Sequence, residues 1–90
     1  MKSISQFLHF QNTKLTDEYN QILTDDALLK DSSILRFDSG GYLDGLIECG
    51  NGQVEYWKNG LLHGNPAVIS ADSKHIEQWE KGILIAVQDL

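Results

Sequence analysis

Val54-Glu55-Tyr56-Trp57-Lys58-Asn59-Gly60-Leu61-Leu62 returns further along the chain as Ile76-Glu77-Gln78-Trp79-Glu80-Lys81-Gly82-Ile83-Leu84. Glu, Trp, Gly and Leu recur at a constant offset of 22, with Val/Ile and Leu/Ile exchanged at two further positions. Self-similarity at such a period marks a supersecondary unit that buries its apolar face only by stacking on its neighbours. Each unit reads as strand, two-residue turn, strand. Asn59-Gly60 is the dipeptide preferred where both turn residues need positive φ, and Lys81-Gly82 puts a glycine at the equivalent place.

Upstream, a weaker third copy is legible. Phe37 stands where Trp57 stands, Ser39-Gly40 where Asn59-Gly60 stands, and Leu43-Asp44-Gly45 where Leu62-His63-Gly64 stands. The offset slips from 20 to 19 because Gly41 is an extra residue, which predicts a bulge. Downstream, Gly64-Asn65-Pro66 interrupts the return strand, Ala71–Lys74 reads as a turn, and 75–80 with 83–87 form the last hairpin. The expectation is an antiparallel meander with Ile83-Leu84-Ile85-Ala86-Val87 at an open edge. Alternation places Val54 and Tyr56, with Ile76 and Gln78, on one face. Glu55 and Trp57, with Glu77 and Trp79, fall on the other. The last hairpin has a neighbour on one side only, so Trp79 is expected to be more exposed than Trp57.

Before the repeats the pattern reads as helical over 3–30. Ser3 and Gln6 have capping-box spacing with Ile4, Phe7 and Leu8 on one face, and a strand through 7–10 is the competing reading. Thr16 reads as an N-cap, Asp17 and Glu18 suit a first turn, and Tyr19, Ile22 and Leu23 make an i, i+3, i+4 stripe. Thr24-Asp25-Asp26 reads as a second cap, before Ala27-Leu28-Leu29-Lys30. The expected fold class is therefore α+β: short N-terminal helices packed on an antiparallel β-meander over 34–87, in one domain spanning 1–90.

The string Tyr56-Trp57-Lys58-Asn59-Gly60-Leu61-Leu62-His63-Gly64, followed by Pro66-Ala67-Val68-Ile69, resembles MORN-type repeats. It is most similar to the variant found in bacterial antitoxin-like and in phage or viral small proteins. The resemblance covers roughly Asp38 to Ala86, and Ile85-Ala86 departs from it by replacing the His-Gly step. It implies glycine-turn hairpins laid side by side, and a binding or scaffolding role.

The 90 residues allow one core, and the 41% hydrophobic content is enough for a small one, which a partner would usefully extend. Seven basic against thirteen acidic side chains give a net charge of −6, which disfavours nucleic acid and anionic membrane and suits a basic protein surface. It is equally the charge of an ordinary soluble domain. No apolar run spans a bilayer, and Met1–Gln6 lacks a secretory h-region, so a cytoplasmic location in a bacterium or phage-infected cell is expected. The lone Cys49 excludes an internal disulfide, and its surroundings show no activator. His9, His63 and His75 form no ligand-spaced pair, and the glycines are spaced as turns, not as a phosphate loop.

No catalytic, cofactor or metal residues are expected. The expected function is a small non-enzymatic inhibitor, immunity or antitoxin-type factor, an anti-CRISPR protein among them, that masks a basic protein surface. Of the acids running from Asp31 to Glu55, Asp38, Asp44, Glu48 and Glu55 are the candidate contacts, together with Trp79. The alternative is a self-associating scaffold module, with a homodimer as its simplest form.

Overall fold

A computed structural model describes residues 2–90. The described residues form one antiparallel sheet of eight strands: β1 (Ala27–Leu28), β2 (Ile34–Leu35), β3 (Gly45–Glu48), β4 (Val54–Lys58), β5 (Leu61–Leu62), β6 (Gly64–Ile69), β7 (His75–Glu80) and β8 (Ile83–Asp89). Their spatial order is β1-β2-β3-β4-β6-β7-β8, with β5 also pairing β4. The expected meander is there, and its hairpin turns are the expected ones. Asn59 and Gly60 have φ of 52° and 82°, and Lys81 and Gly82 have 48° and 82°. Both pairs occupy the left-handed region that a two-residue hairpin turn demands.

The N-terminal helices are not there, which corrects the α+β expectation. Among the described residues the one helical turn is the 3-10 segment Leu8–Phe10. Ser3 does not close a capping box: its hydroxyl donates to Glu77 and accepts the Ser5 N–H. Asp17 does not start a helix either. Its Oδ1 accepts the N–H groups of Tyr19 and Gln21, and Asn20 takes φ 62°, which closes a tight loop bridged from Thr16 to Ile22. Short Asp and Asn side chains compete in this way with helical bonding. The stripe is not buried as a unit: Tyr19 is 77% and Ile22 48% exposed, and Leu23 is half-buried. Ala27-Leu28 is too short to nucleate a helix and instead pairs with β2 across the Asp31–Ser33 turn.

The third copy is confirmed by its bonds. Gly60 N–H donates to Leu43 O at 2.8 Å, and Gly82 N–H donates to Leu62 O at 2.9 Å. Gly45 lies opposite Trp57 and Gly64 opposite Trp79, so the glycine ending one repeat faces the tryptophan of the next. Leu43, Ile47, Leu62 and Val68 are fully buried, and Trp57 and Trp79 complete the same core at 3% and 5% exposure. The expected difference between the tryptophans is therefore not found. The terminal hairpin lacks a neighbour on one side, but the N-terminal segment lies over Trp79 as it does over Trp57.

That segment takes the place of the missing helical layer. Residues 3–6 run across the inner face, and Gln11, Asn12 and Leu15 run along the hairpin turns. Leu15 N–H caps Gly41 O at 3.1 Å, Asn12 N–H caps Gly60 O at 2.8 Å, and Gln11 Nε2 caps Gly82 O at 3.2 Å. One turn glycine of each repeat is thus tied to the same stretch of chain.

Candidate functional site: an uncovered sheet face

The acids singled out in the sequence divide into turn caps, an ion pair and the interior. Asp38 Oδ1 accepts from Gly40 N and Tyr42 N, which shapes the first turn. Asp44 Oδ1 accepts the Asn59 N–H at 2.9 Å. Glu48 pairs with Arg36 at 2.9 Å, and the same guanidinium reaches Asp26 at 3.5 Å. Glu55 and Trp79 are internal, at 0% and 5% exposure, and present no surface to a partner. The five residues do not form one patch.

Glu55 is the larger surprise. It and its repeat mate Glu77 are fully buried, each in a shell of four donors, two from its own repeat and two from residues 3–6. Glu55 accepts from Ser5 Oγ, Gln6 N, Gln53 Nε2 and Trp57 Nε1 at 2.8, 2.8, 2.9 and 3.2 Å. Glu77 accepts from Ser3 Oγ, Ile4 N, His75 Nε2 and Trp79 Nε1 at 2.6, 2.8, 2.8 and 2.9 Å. Gln53 and His75 are equivalent by the offset of 22, as are the two tryptophans. Burial works against charge on Glu77, but the hydrogen bonds from Ser3, Ile4, His75 and Trp79 outweigh it and hold its carboxyl below the usual value. His75 bridges Glu77 and Asp89 through its two ring nitrogens, at 2.8 and 2.6 Å, and these bonds push its pKa up.

Such carboxylates are fixtures. Every lone pair of theirs is occupied, and no buried side-chain polar atom among the described residues lacks a partner. Cys49 is equally unsuited to chemistry. Burial, and then the nearby Glu55 carboxylate, push its thiol up to about 12, far from the thiolate a nucleophile needs. Among the described residues no group of three His, Cys, Asp or Glu is placed to hold a metal ion.

Among the described residues no helix or strand covers the opposite face of the sheet. Cross-strand pairing joins Leu28, Ile34, Glu48, Val54, Ile69, Ile76 and Gln88 into one row crossing the whole sheet. A second row begins with Leu46 opposite Tyr56. Leu28 is 75% and Tyr56 39% exposed, while Ile34, Leu46, Val54, Ile69 and Ile76 are half-buried and lie outside the core. Their partial cover comes from side neighbours within a sheet. Alternation had put Val54, Tyr56 and Ile76 on a common face. It could not say that this face is the open one, because that depends on which side residues 3–6 cross. Leu28 was missed because 27–30 read as helix, and Ile34 was read as strand with no face assigned to it.

Compared with known protein families, characterised proteins and solved structures, the chain matches none.

Proposed function

We propose that the chain is a small non-enzymatic binding factor of the inhibitor, immunity or antitoxin type, and that the uncovered face of the sheet is its contact surface. The observation carrying this reading is the apolar row Leu28–Ile34–Val54–Ile69–Ile76, broken only by Glu48 and ended by Gln88, with no second layer over it. A sheet with one apolar face packed and the other open is half of a two-layer architecture, and a partner completes it. The net charge of −6 favours encounter with a basic protein.

The test compares the wild-type chain with Tyr56→Glu and Ile76→Glu as bait in lysate of the host cell. Both variants place a charge on the open face, and circular dichroism checks that each keeps the fold of the wild type. The reading expects one protein captured stoichiometrically by the wild type and lost from both variants. No stoichiometric partner, or one retained equally by the variants, removes it.

Self-association is the second reading, favoured by β8 at the sheet's edge, where Ile83 is 66% and Ile85 43% exposed. A long apolar edge strand is a template for a second chain.

A further inference from the structure

A second site lies at the tips of the hairpins. Lys58, Asn59, Leu61, His63 and Lys81 line a groove of about 360 Å³, large enough for a small ligand. Its lining carries two of the chain's seven basic residues and no carboxylate, in a protein of net charge −6. Leu61 gives it an apolar wall, and the remaining side chains are hydrogen-bond donors.

The repeat itself supplies the comparison that makes this more than two surface lysines. Asp44 and His63 hold the same joint between successive hairpins: Asp44 Oδ1 accepts the Asn59 N–H at 2.9 Å, and His63 Nδ1 accepts the Lys81 N–H at 3.1 Å. Either side chain satisfies the turn, so the joint does not require histidine. The two joints differ in charge: Asp44 sets a carboxylate behind Asn59 at one end of the groove, and His63 sets none behind Lys81 at the other. With Nδ1 committed as acceptor, the neutral ring of His63 carries its proton on Nε2 and offers a donor. Lys81 departs from its repeat mate in the same direction. Both Asn59 and Lys81 sit in the left-handed region, at φ 52° and 48°. Asn is enriched several-fold in that conformation and Lys is not. At this position Lys81 puts an ammonium on the rim of the groove where its repeat mate puts an amide.

We infer that the groove formed by Lys58, Asn59, Leu61, His63 and Lys81 binds a small anion, a phosphate monoester or carboxylate whose apolar substituent rests on Leu61. The two ammonium groups supply charge-assisted hydrogen bonds. Asn59 and His63 add neutral donors, and Leu61 selects against a bare inorganic ion. This site is separate from the uncovered sheet face and stands or falls without it.

Titration of the isotope-labelled protein with phenyl phosphate, benzoate and neutral benzyl alcohol, followed through backbone amide shifts, tests the inference. Both anions are expected to shift Lys58, Asn59, Leu61, His63 and Lys81 together in the millimolar range, with no response to the alcohol. Lys81→Asn gives the turn the residue its neighbour has, so the fold is kept. Affinity for phenyl phosphate should then fall about tenfold, as it should in Lys58→Gln. Lys74→Gln, a lysine outside the groove, should leave it unchanged. The inference is overturned by an absence of localised shifts up to about 10 mM, by an equal response to the alcohol, or by an equal loss of affinity in Lys74→Gln.

Discussion

Glu55 and Glu77 turn a surface-looking residue type into the centre of the repeat. The Glu-x-Trp spacing puts both side chains on one face of a strand, where the indole N–H donates to the carboxylate two residues back. The upstream copy has neither partner: Leu35 and Phe37 stand at the equivalent places, and Leu35 is buried as an ordinary core residue. Acceptor and donor are therefore kept or lost together, since a buried donor without an acceptor costs roughly 1–3 kcal/mol. Glu55→Leu alone should destabilise by on the order of 3 kcal/mol. Glu55→Leu with Trp57→Phe should cost less than the sum of the single changes, with a coupling of about 1 kcal/mol in urea unfolding. Strict additivity would mean that the indole bond contributes nothing.

His75 gives the C-terminal repeat an imidazole beside its buried carboxylate where the middle repeat has Gln53. Glu77 and then Asp89 raise its pKa above the ordinary 6.5. Asp72 is a further negative neighbour, its own carboxyl held low chiefly by the Ser70 hydroxyl. A raised histidine pKa contributes stability that is complete below about 6.5 and is lost as pH rises through the folded value. Glu77, lowered from 4.5, contributes stability that is complete above that value and is lost as pH falls through the folded one. Together they place the pair's maximum between about pH 4.5 and 6.5. Melting temperature should decline on the alkaline side in the wild type, and that decline should be flattened in His75→Gln. An unchanged alkaline slope in the variant would show that His75 is not its source.

At the scale of elements, residues 3–6 do what a packed helix would have done. Two consecutive dipeptides each offer a serine hydroxyl and the next backbone N–H, Ser3-Ile4 to Glu77 and Ser5-Gln6 to Glu55. Their polar groups are thus spent on the sheet, and a helix would have turned them inward on itself. Ser3→Ala and Ser5→Ala should each cost about 1.5 kcal/mol. The Ser5 N–H also donates to Ser3 Oγ, so the two positions share one network and the double change should depart from additivity. Iodide quenching of single-tryptophan versions provides the local readout. Trp57 and Trp79 should be equally protected in the parent, and the Ser3→Ala/Ser5→Ala pair should admit quencher to both. Protection unchanged in that pair would mean that residues 3–6 are held by something other than these bonds.

The whole molecule measures 42 × 25 × 17 Å, the dimensions of a slab with one sheet and a thin cover. Its broad face offers roughly 1,000 Å² from the two longer extents, comparable to the roughly 800 Å² per partner of a standard interface. The edge is less suited to pairing, because the register with β7 slips at Trp79 and leaves Ile85 as the extra residue of a bulge. Bulges twist an edge away from a would-be partner. Sedimentation at micromolar concentration therefore distinguishes the two modes of self-association. A dimer dissolved by Ile85→Lys and unaffected by Tyr56→Glu is an edge dimer, and the opposite pattern is a face-to-face one. A monomer under all conditions removes self-association and leaves the partner reading alone.

The doubled stretch was enough to determine its hairpins, their turn type, the antiparallel run of strands through it and the alternation of faces. Each of these depends on neighbours within a few residues, and turn φ and strand period are local properties. The weaker copy at 37–45 was legible for the same reason, because Leu43 and Gly45 repeat the geometry of Leu62 and Gly64 although Asp44 replaces His63. What the sequence could not decide was the fate of groups whose partners lie far along the chain. Ser3 finds Glu77 across 74 residues and Ser5 finds Glu55 across 50. Read locally, the serines were a helix start and the glutamates a surface. Only the tertiary structure closed the chain onto its own inner face, buried both carboxylates and left the opposite face open, because a hydrogen bond between distant residues leaves no period in the sequence.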